Sequence, residues 1–188
     1  MNVPGDLVQL DTLQIKLRNG TIRWQFSARD VICRQDQARA YQHPTSFSGS
    51  LFLEYLEHKF PFPIRAIQID GGSEFKKHFE EACLRRGLML FIIPVRSPKL
   101  QGHVERANRT HREEFYEVED IGLTLEEHNK QVERWIVTHN TIRPHQSLDD
   151  LIPSEYFQRY LKEHKPGPTN LVTLFTSLTY CTARHKKE

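Results

Sequence analysis

Apolar and polar residues alternate on both sides of the dipeptide Asn19-Gly20. Asn-Gly accepts the positive φ angles of a type I′ turn, so the two arms read as a β-hairpin closed by a two-residue loop. Pairing Arg18 with Thr21 sets Leu17 opposite Ile22, Ile15 opposite Trp24 and Leu13 opposite Phe26, all on one sheet face. Two steps further along this ladder, Asp11 falls opposite Ala28, an acid on an apolar face beside a small residue. Residues 36–42 carry a weaker strand signal.

The pattern then changes period. Residues 46–59, "SFSGSLFLEYLEHK", place Phe52, Leu53 and Leu56 on one side of a helix, and Pro61 and Pro63 end it. "IRAIQID" reads as a buried strand. Ser73 is a suitable N-cap for a helix through "EFKKHFEEACLRRG", closed by Gly87. "LMLFII" reads as a second buried strand stopped by Pro94. The stretch "PVRSPKLQGH" is loop-like, and a helix is expected from about His103 toward Glu119, with Val104, Ala107, His111 and Phe115 facing the core. A further helix over 124–138 opens on a capping box formed by Thr124 and Glu127. A turn-rich connector, "NTIRPHQSLDDLIP", leads to a short helix over 154–163. Five strands mixed with helices in this order predict an α/β fold with a mixed five-stranded sheet flanked by helices. Residues 1–163 are expected to form it, and 164–188 a tail with no assigned role.

The chain has 188 residues, 38% of them hydrophobic and 27% charged, which suits one globular domain and a tail. Cys33, Cys83 and Cys181 are far apart and form no CxxC pair, so the sequence suggests neither a zinc site nor a disulfide framework, and fits a reducing, cytoplasmic setting. No apolar run nears the length of a membrane span, and the N-terminus lacks the regions of a signal peptide. The net charge is +2, but residues 96–112 set Arg96, Lys99, Arg106, Arg109 and Arg112 against the single acid Glu105. Such a basic cluster suits phosphate groups, although a charge run is more often a solvated helix face.

Chemistry enters with three acids. Asp70 ends the strand in "IQIDGGSEF", where a buried carboxylate costs free energy unless a partner compensates it. Glu105 opens a helix and shares one face with Asn108, Arg109 and Arg112. Taken alone, Glu105 and Arg109 are an ordinary intrahelical pair. Together with Asp11, the acids lie in "LVQLDT", "DGGSEF" and "SPKLQGHVERANRTHREEF", and "HNTIRPHQSLDDLIPSEYF" follows. In order and spacing these pieces, over roughly residues 4–160, resemble the catalytic core of the DDE transposase and retroviral integrase superfamily, most of all bacterial insertion-sequence transposases. The sequence departs from the usual pattern at Gly71, where Asn is common, at His139 before Asn140, where Tyr is usual, and at His103, where Lys is common.

The resemblance implies an RNase H-like fold and a two-metal phosphodiester chemistry with Mg²⁺ or Mn²⁺. Asp11 would bridge both ions, while Asp70 and Glu105 would each complete one coordination shell. Lys99, Gln101, Asn108, Arg109 and Arg112 would contact DNA, with Gln101 and Gly102 packing near its end. Water and then a DNA 3′-hydroxyl would attack, giving cleavage and strand transfer at mobile-element ends. The resemblance also implies a homo-oligomer, a dimer or higher, and a bacterial cytoplasmic protein that meets the nucleoid when bound to DNA. Ten residues precede Asp11, too few for the helix-turn-helix by which relatives recognise element ends. A truncated or inactive transposase that binds DNA or regulates an intact subunit is therefore the alternative. An RNase H-type nuclease fits the acids but not "RPHQSL".

Other candidates read as structural. Asp30 lacks a following turn and helix, Glu74 sits in a first helical turn where an acid is favoured anyway, and Asp6 precedes the first strand. The ten histidines form no HExxH or HxH pattern, and His145 reads as a turn or packing residue. Residues 94–103 are expected to be mobile without DNA, fraying the first turn of the Glu105 helix with them.

Overall fold

The computed structural model describes residues 3–94 and 101–164. Lys99, the basic residue Arg96 and most of the loop expected over 94–103 lie outside them, as do Cys181 and the tail from residue 165. Among the described residues no helix is long and apolar enough to cross a membrane.

The sheet is assembled around the first hairpin. Strands β1 (Val8–Lys16) and β2 (Ile22–Asp30) run antiparallel, and β3 (Asp36–Tyr41) adds antiparallel to β2. Helix α1 (Ser46–Lys59), capped by the Thr45 side chain, crosses over to β4 (Ala66–Ile69), which pairs parallel with β1. Helix α2 (His78–Arg85) then crosses to β5 (Met89–Ile92), parallel to β4. The order β3-β2-β1-β4-β5 is the mixed five-stranded sheet expected. Helices α3 (Gly102–His111), α4 (Leu125–Thr141) and α5 (Pro153–Glu163) follow, with a wider helical turn at Arg112–Tyr116 after α3. Contacts divide the chain into Met1–Tyr156 and Phe157–Glu188.

The hairpin differs from the sequence expectation by one residue. Leu17 donates to the Thr21 carbonyl and Gly20 to that of Leu17, so the loop is Arg18-Asn19-Gly20 with Gly20 at φ +84°. This is the longer hairpin loop, in which glycine takes the left-handed position of a bulge. Because side chains alternate, the slip exchanges the faces. Asp11 opposes Ser27 rather than Ala28, and Leu13 opposes Gln25 rather than Phe26.

Each sheet face therefore has its own character. Leu10, Phe26 and Ala28 point to α1 and α2 and join Phe52, Leu53, Leu56, Phe75 and Phe79 in the main apolar core. Leu13, Ile15 and Leu17 form a smaller cluster on the other face, where Ala38 meets Phe115, Val132 and Ile136. Two further expectations are corrected. The helix from Ser73 is broken: a short turn at Ser73–Phe75 ends at Lys77, whose φ is +44°, before α2 begins. The break accompanies the insertion of Phe75 into the core, edge-on to both Phe26 and Phe79. Strand β5 is apolar but not buried; it is the sheet edge, and Met89 and Ile92 are 58% and 55% exposed.

Candidate active site

The strand register brings two acids together. Val8 pairs with Ile67 and Gln9 with Gln68 across the parallel β1–β4 ladder. Continued by two residues, the same register sets Asp70 beside Asp11. Neighbouring parallel strands share their faces, and the Gln9 side chain confirms this by donating to Gln68 Oε1 at 2.7 Å. The Asp11 carboxylate accepts from the Thr12 backbone N–H and from Asn108 Nδ2, both at 2.8 Å. Burial pushes the Asp11 carboxyl up to about 6; the Thr12 and Asn108 bonds oppose the rise, and the charges of Asp70 and Glu105 add to it. Asp11 thus feels the charges of both other acids.

The cost of burying a carboxylate falls on Asp11, not on Asp70 as the strand pattern suggests. Strand β4 ends at Ile69, and Asp70 steps out of the sheet into an exposed turn, accepting from the Gly72 N–H at 3.0 Å. Gly71 has φ +80°. Glycine and asparagine are the residues that take this left-handed region most readily. That accounts for glycine at a position where asparagine is common in the superfamily the sequence resembles.

Glu105 is exposed in the first turn of α3. Its helix is held by β1 rather than by a local cap. Gln101, at the N-cap position, makes no side-chain cap bond; its amide donates to the Leu10 carbonyl at 2.7 Å, and the residue is buried. Gln9 Oε1 accepts from the backbone N–H groups of His103 and Val104, each at 3.2 Å. Two N–H groups that a cap would otherwise satisfy are met from two positions before Asp11. Val104 and Ala107, fully buried, complete the anchor. Sequence reasoning missed Gln9; the available signal was a polar residue on the face of Asp11. Asn108 is buried against Asp11, whereas Arg109 and Arg112 are exposed.

Beneath α3 lies a buried polar chain. Arg29 grips Asp36 with two hydrogen bonds of 2.5 and 2.6 Å, and Arg29 Nη1 reaches the His103 carbonyl. Burial alone would raise the Asp36 carboxyl, but the Arg29 guanidinium holds it well below the usual carboxylate range. Gln25 donates to His111 Nδ1 at 2.9 Å, so His111 Nε2–H donates to Asp36 at 3.1 Å. Tyr116 donates to Gln25 Oε1 and meets His128 Nε2. His139 Nε2 accepts from Arg29 at 3.1 Å, which makes its 3.4 Å approach to Asp36 no ion pair. Asn140 accepts from the Asp36 N–H and donates to its carbonyl, tying α4 to β3. Asp30 is structural: its carboxylate accepts from the N–H groups of Gly5, Ile32 and Cys33.

Among the described residues no three His, Cys, Asp or Glu side chains are gathered closely enough to hold a metal ion. The donor chemistry nevertheless suits a hard divalent cation: carboxylate oxygens around a half-buried acid whose pKa is raised first by burial and then by the neighbouring acids. The buried Asn108 Oδ1 beside them has no hydrogen-bond partner.

Residues 86–153 match the family described as integrase core domain, a stretch that contains Glu105 but neither Asp11 nor Asp70. No curated protein matches the chain. Among solved structures, the chain is similar to one in the simian T-cell lymphotropic virus intasome in complex with PP2A regulatory subunit B56 gamma. That match has a TM-score of 0.72 at 17% identity, over 89% of this chain and 57% of the other. The chain thus spans little more than half the length of that relative. It is also similar to the HTLV-2 integrase catalytic core domain in complex with magnesium, in a trimeric form. Here the TM-score is 0.66 at 17% identity, over 82% of this chain and 97% of the other. The fold is that of integrase catalytic cores, RNase H-like.

Proposed function

We propose that this chain is the catalytic core of a DNA transposase or integrase, of the insertion-sequence kind, that cuts and joins phosphodiester bonds at mobile-element ends. The observation that supports this reading is the β1–β4 register, which leads Asp70 toward Asp11, together with the Asp11 carboxyl, which feels the charges of both Asp70 and Glu105. Asp11, Asp70 and Glu105 would hold two Mg²⁺ or Mn²⁺ ions, which supply charge neutralisation to both the entering and the leaving oxygen of an in-line displacement. Asn108 holds one Asp11 oxygen and the Thr12 N–H the other, so the carboxylate is oriented before any ligand arrives. Arg109 and Arg112, exposed on the Glu105 side of α3, offer guanidinium forks to DNA phosphates. Lys99 belongs to the same basic segment. Gln101 serves DNA by fixing the start of α3. The protein would work as a homo-oligomer on DNA, in the bacterial cytoplasm.

The test is metal-dependent nicking and strand transfer on a labelled DNA end. The wild type should act with Mg²⁺ or Mn²⁺, and Asp70→Asn should lose at least a thousandfold while still binding DNA. An Asp70→Asn variant as active as the wild type would sink the reading. Tight DNA binding by a wild type inert with either metal would favour a regulatory, DNA-binding subunit instead.

A further inference from the structure

Helix α3 has two flanks. Its buried stripe, Val104, Ala107 and His111, separates the flank of Glu105, Asn108 and Arg112 from that of Gly102, Arg106 and Thr110, as 3.6 residues per turn requires. The carboxylates occupy the first flank. On the second lies a cavity of about 960 Å³, walled by α3, the β2–β3 turn and the connector that contains "RPHQS". That connector was prominent in the sequence, yet the proposed chemistry leaves it without a role.

The cavity is rich in cations and poor in counter-charge. Four arginines, Arg29, Arg34, Arg106 and Arg143, line it beside the neutral imidazole of His145, whose pKa burial pushes down to about 4, and Asp150 is the single carboxylate among the described residues that line it. Two of the arginines are committed: Arg29 grips Asp36, and Arg143 is held by Glu114 at 2.6 and 2.8 Å. Arg34 and Arg106 are not matched in this way. Arg34 Nη1 donates to His103 Nδ1, a neutral partner, and its buried Nε has none. Burial, and then the charge of Arg29, lowers the pKa of the Arg34 guanidinium; Asp30 offsets only part of this. His145 is 8% exposed, and its buried Nε2 also lacks a partner. The backbone supports this placement at a cost. Arg34 has φ +60°, and Asp149 and Asp150 have φ +54° and +60°. Non-glycine residues in this region carry backbone strain, which tends to gather where a chain is shaped around a ligand.

We propose that this cavity is a phosphate-binding site, in which Arg34, Arg106 and His145 take a backbone phosphate of the DNA strand. The DNA source rests on the function proposed above; the anion chemistry does not. Guanidinium groups match phosphate oxygens with paired donors. A helix is about 10 Å across, so a strand held by the acids on one flank needs only a few nucleotides to reach the other. The site would clamp the strand over α3 and leave the reacting phosphate to the acids.

The experiment uses the full chain in metal-free buffer, where no cutting competes. DNA affinity is measured by fluorescence anisotropy against salt, and thermal stability is measured against added inorganic phosphate. Arg106→Gln, a surface change, should weaken DNA binding several-fold and lower the slope of log affinity against log salt by about one. Arg34→Gln should do the same where it folds. Arg39→Gln, an exposed guanidinium over the Tyr55 ring, should change neither. Phosphate should stabilise the wild type and not Arg106→Gln. If that stabilisation is lost while the DNA slope is unchanged, the site takes free phosphate and the DNA assignment falls. If Arg106→Gln matches the wild type in both measurements, the site is overturned, whatever the strand-transfer assay gives. If the wild type binds no DNA, the proposed function fails first, and the phosphate response alone decides the anion site.

Discussion

The two faces of the sheet are both buried, but by different means. On the α1–α2 face, Phe26, Phe52, Phe75 and Phe79 pack ring against ring with little polar content. On the α3–α4 face, Arg23, Gln25, Ser27 and Arg29 of the same strand β2 are all buried. Gln25, Ser27 and Arg29 are enclosed with Asp36, His111, Tyr116, His128 and His139 in one hydrogen-bonded chain, and Arg23 donates instead to the Leu123 carbonyl. The first face supplies apolar burial, which is non-directional. The second fixes angles, since each buried polar group requires a partner in a particular direction. The acids lie on the second face, where strand and helix are aligned by hydrogen bonds rather than by packing alone.

The sharpest contrast comes from removing one group per face. Phe26→Ala should cost about 3–5 kcal/mol by leaving a cavity, equally at pH 5 and pH 8, as urea unfolding would show. Asp36→Ala should cost a similar 3–5 kcal/mol for another reason, since it strands the buried Arg29 charge. Replacing both partners, Asp36→Leu with Arg29→Met, should recover most of that loss. A double variant no better than the single one would mean that the ion pair is not what the second face depends on. The pH response should differ as well. Asp36 is held below its ordinary 3.8, so its contribution is whole above about pH 4 and is lost as the pH falls below that.

Asp11 should behave in the opposite sense. Its folded pKa of about 6 lies above the ordinary 3.8, so the folded state binds the extra proton. Wild-type stability should therefore fall as pH rises from about 4 to about 6. At pH 7 Asp11→Asn should stabilise the metal-free protein by roughly 1–3 kcal/mol. After an amide flip, Asn108 Oδ1 can accept from the new side chain, which gives that buried oxygen a partner. Thermal scans at pH 4 and pH 7 check this, and a variant less stable at pH 7 would show that Asp11 is needed for the fold. Mg²⁺ should raise the melting temperature of the wild type and leave that of the variant unchanged.

The smallest effects should be alike on both faces. Thr45 caps α1 and Thr124 caps α4 in the same manner. Either change to Ala should cost about 1 kcal/mol, measured by thermal melting. A much larger loss at Thr124 would mean that the polar face depends on its helix ends as well as on its buried bonds.

What was legible in the sequence follows the same division. Apolar periodicity placed α1 residue for residue and found the strands. It could not set the hairpin register, because Asn-Gly serves both a two-residue loop and the longer one found here. An apolar run could not reveal that β5 is the sheet edge, since only the strand order shows that. The polar face was the least legible. By alternation alone, Arg23, Gln25, Ser27 and Arg29 belong on a solvated surface, and nothing local says that two helices cover them. The order of the three acids came from resemblance to a family. Their proximity needed the β1–β4 register, a long-range fact that no single segment carries.

The Gln9 side chain touches Gln68 on one side and the first N–H groups of α3 on the other. The position of Glu105 is thereby referenced to the pairing of β1 with β4, and not to the length of the chain between Asp70 and the helix. Insertions or deletions ahead of Gln101 would change the connecting path without moving the acid. A lineage built on this arrangement is free to vary that segment while the placement of Glu105 is inherited unchanged.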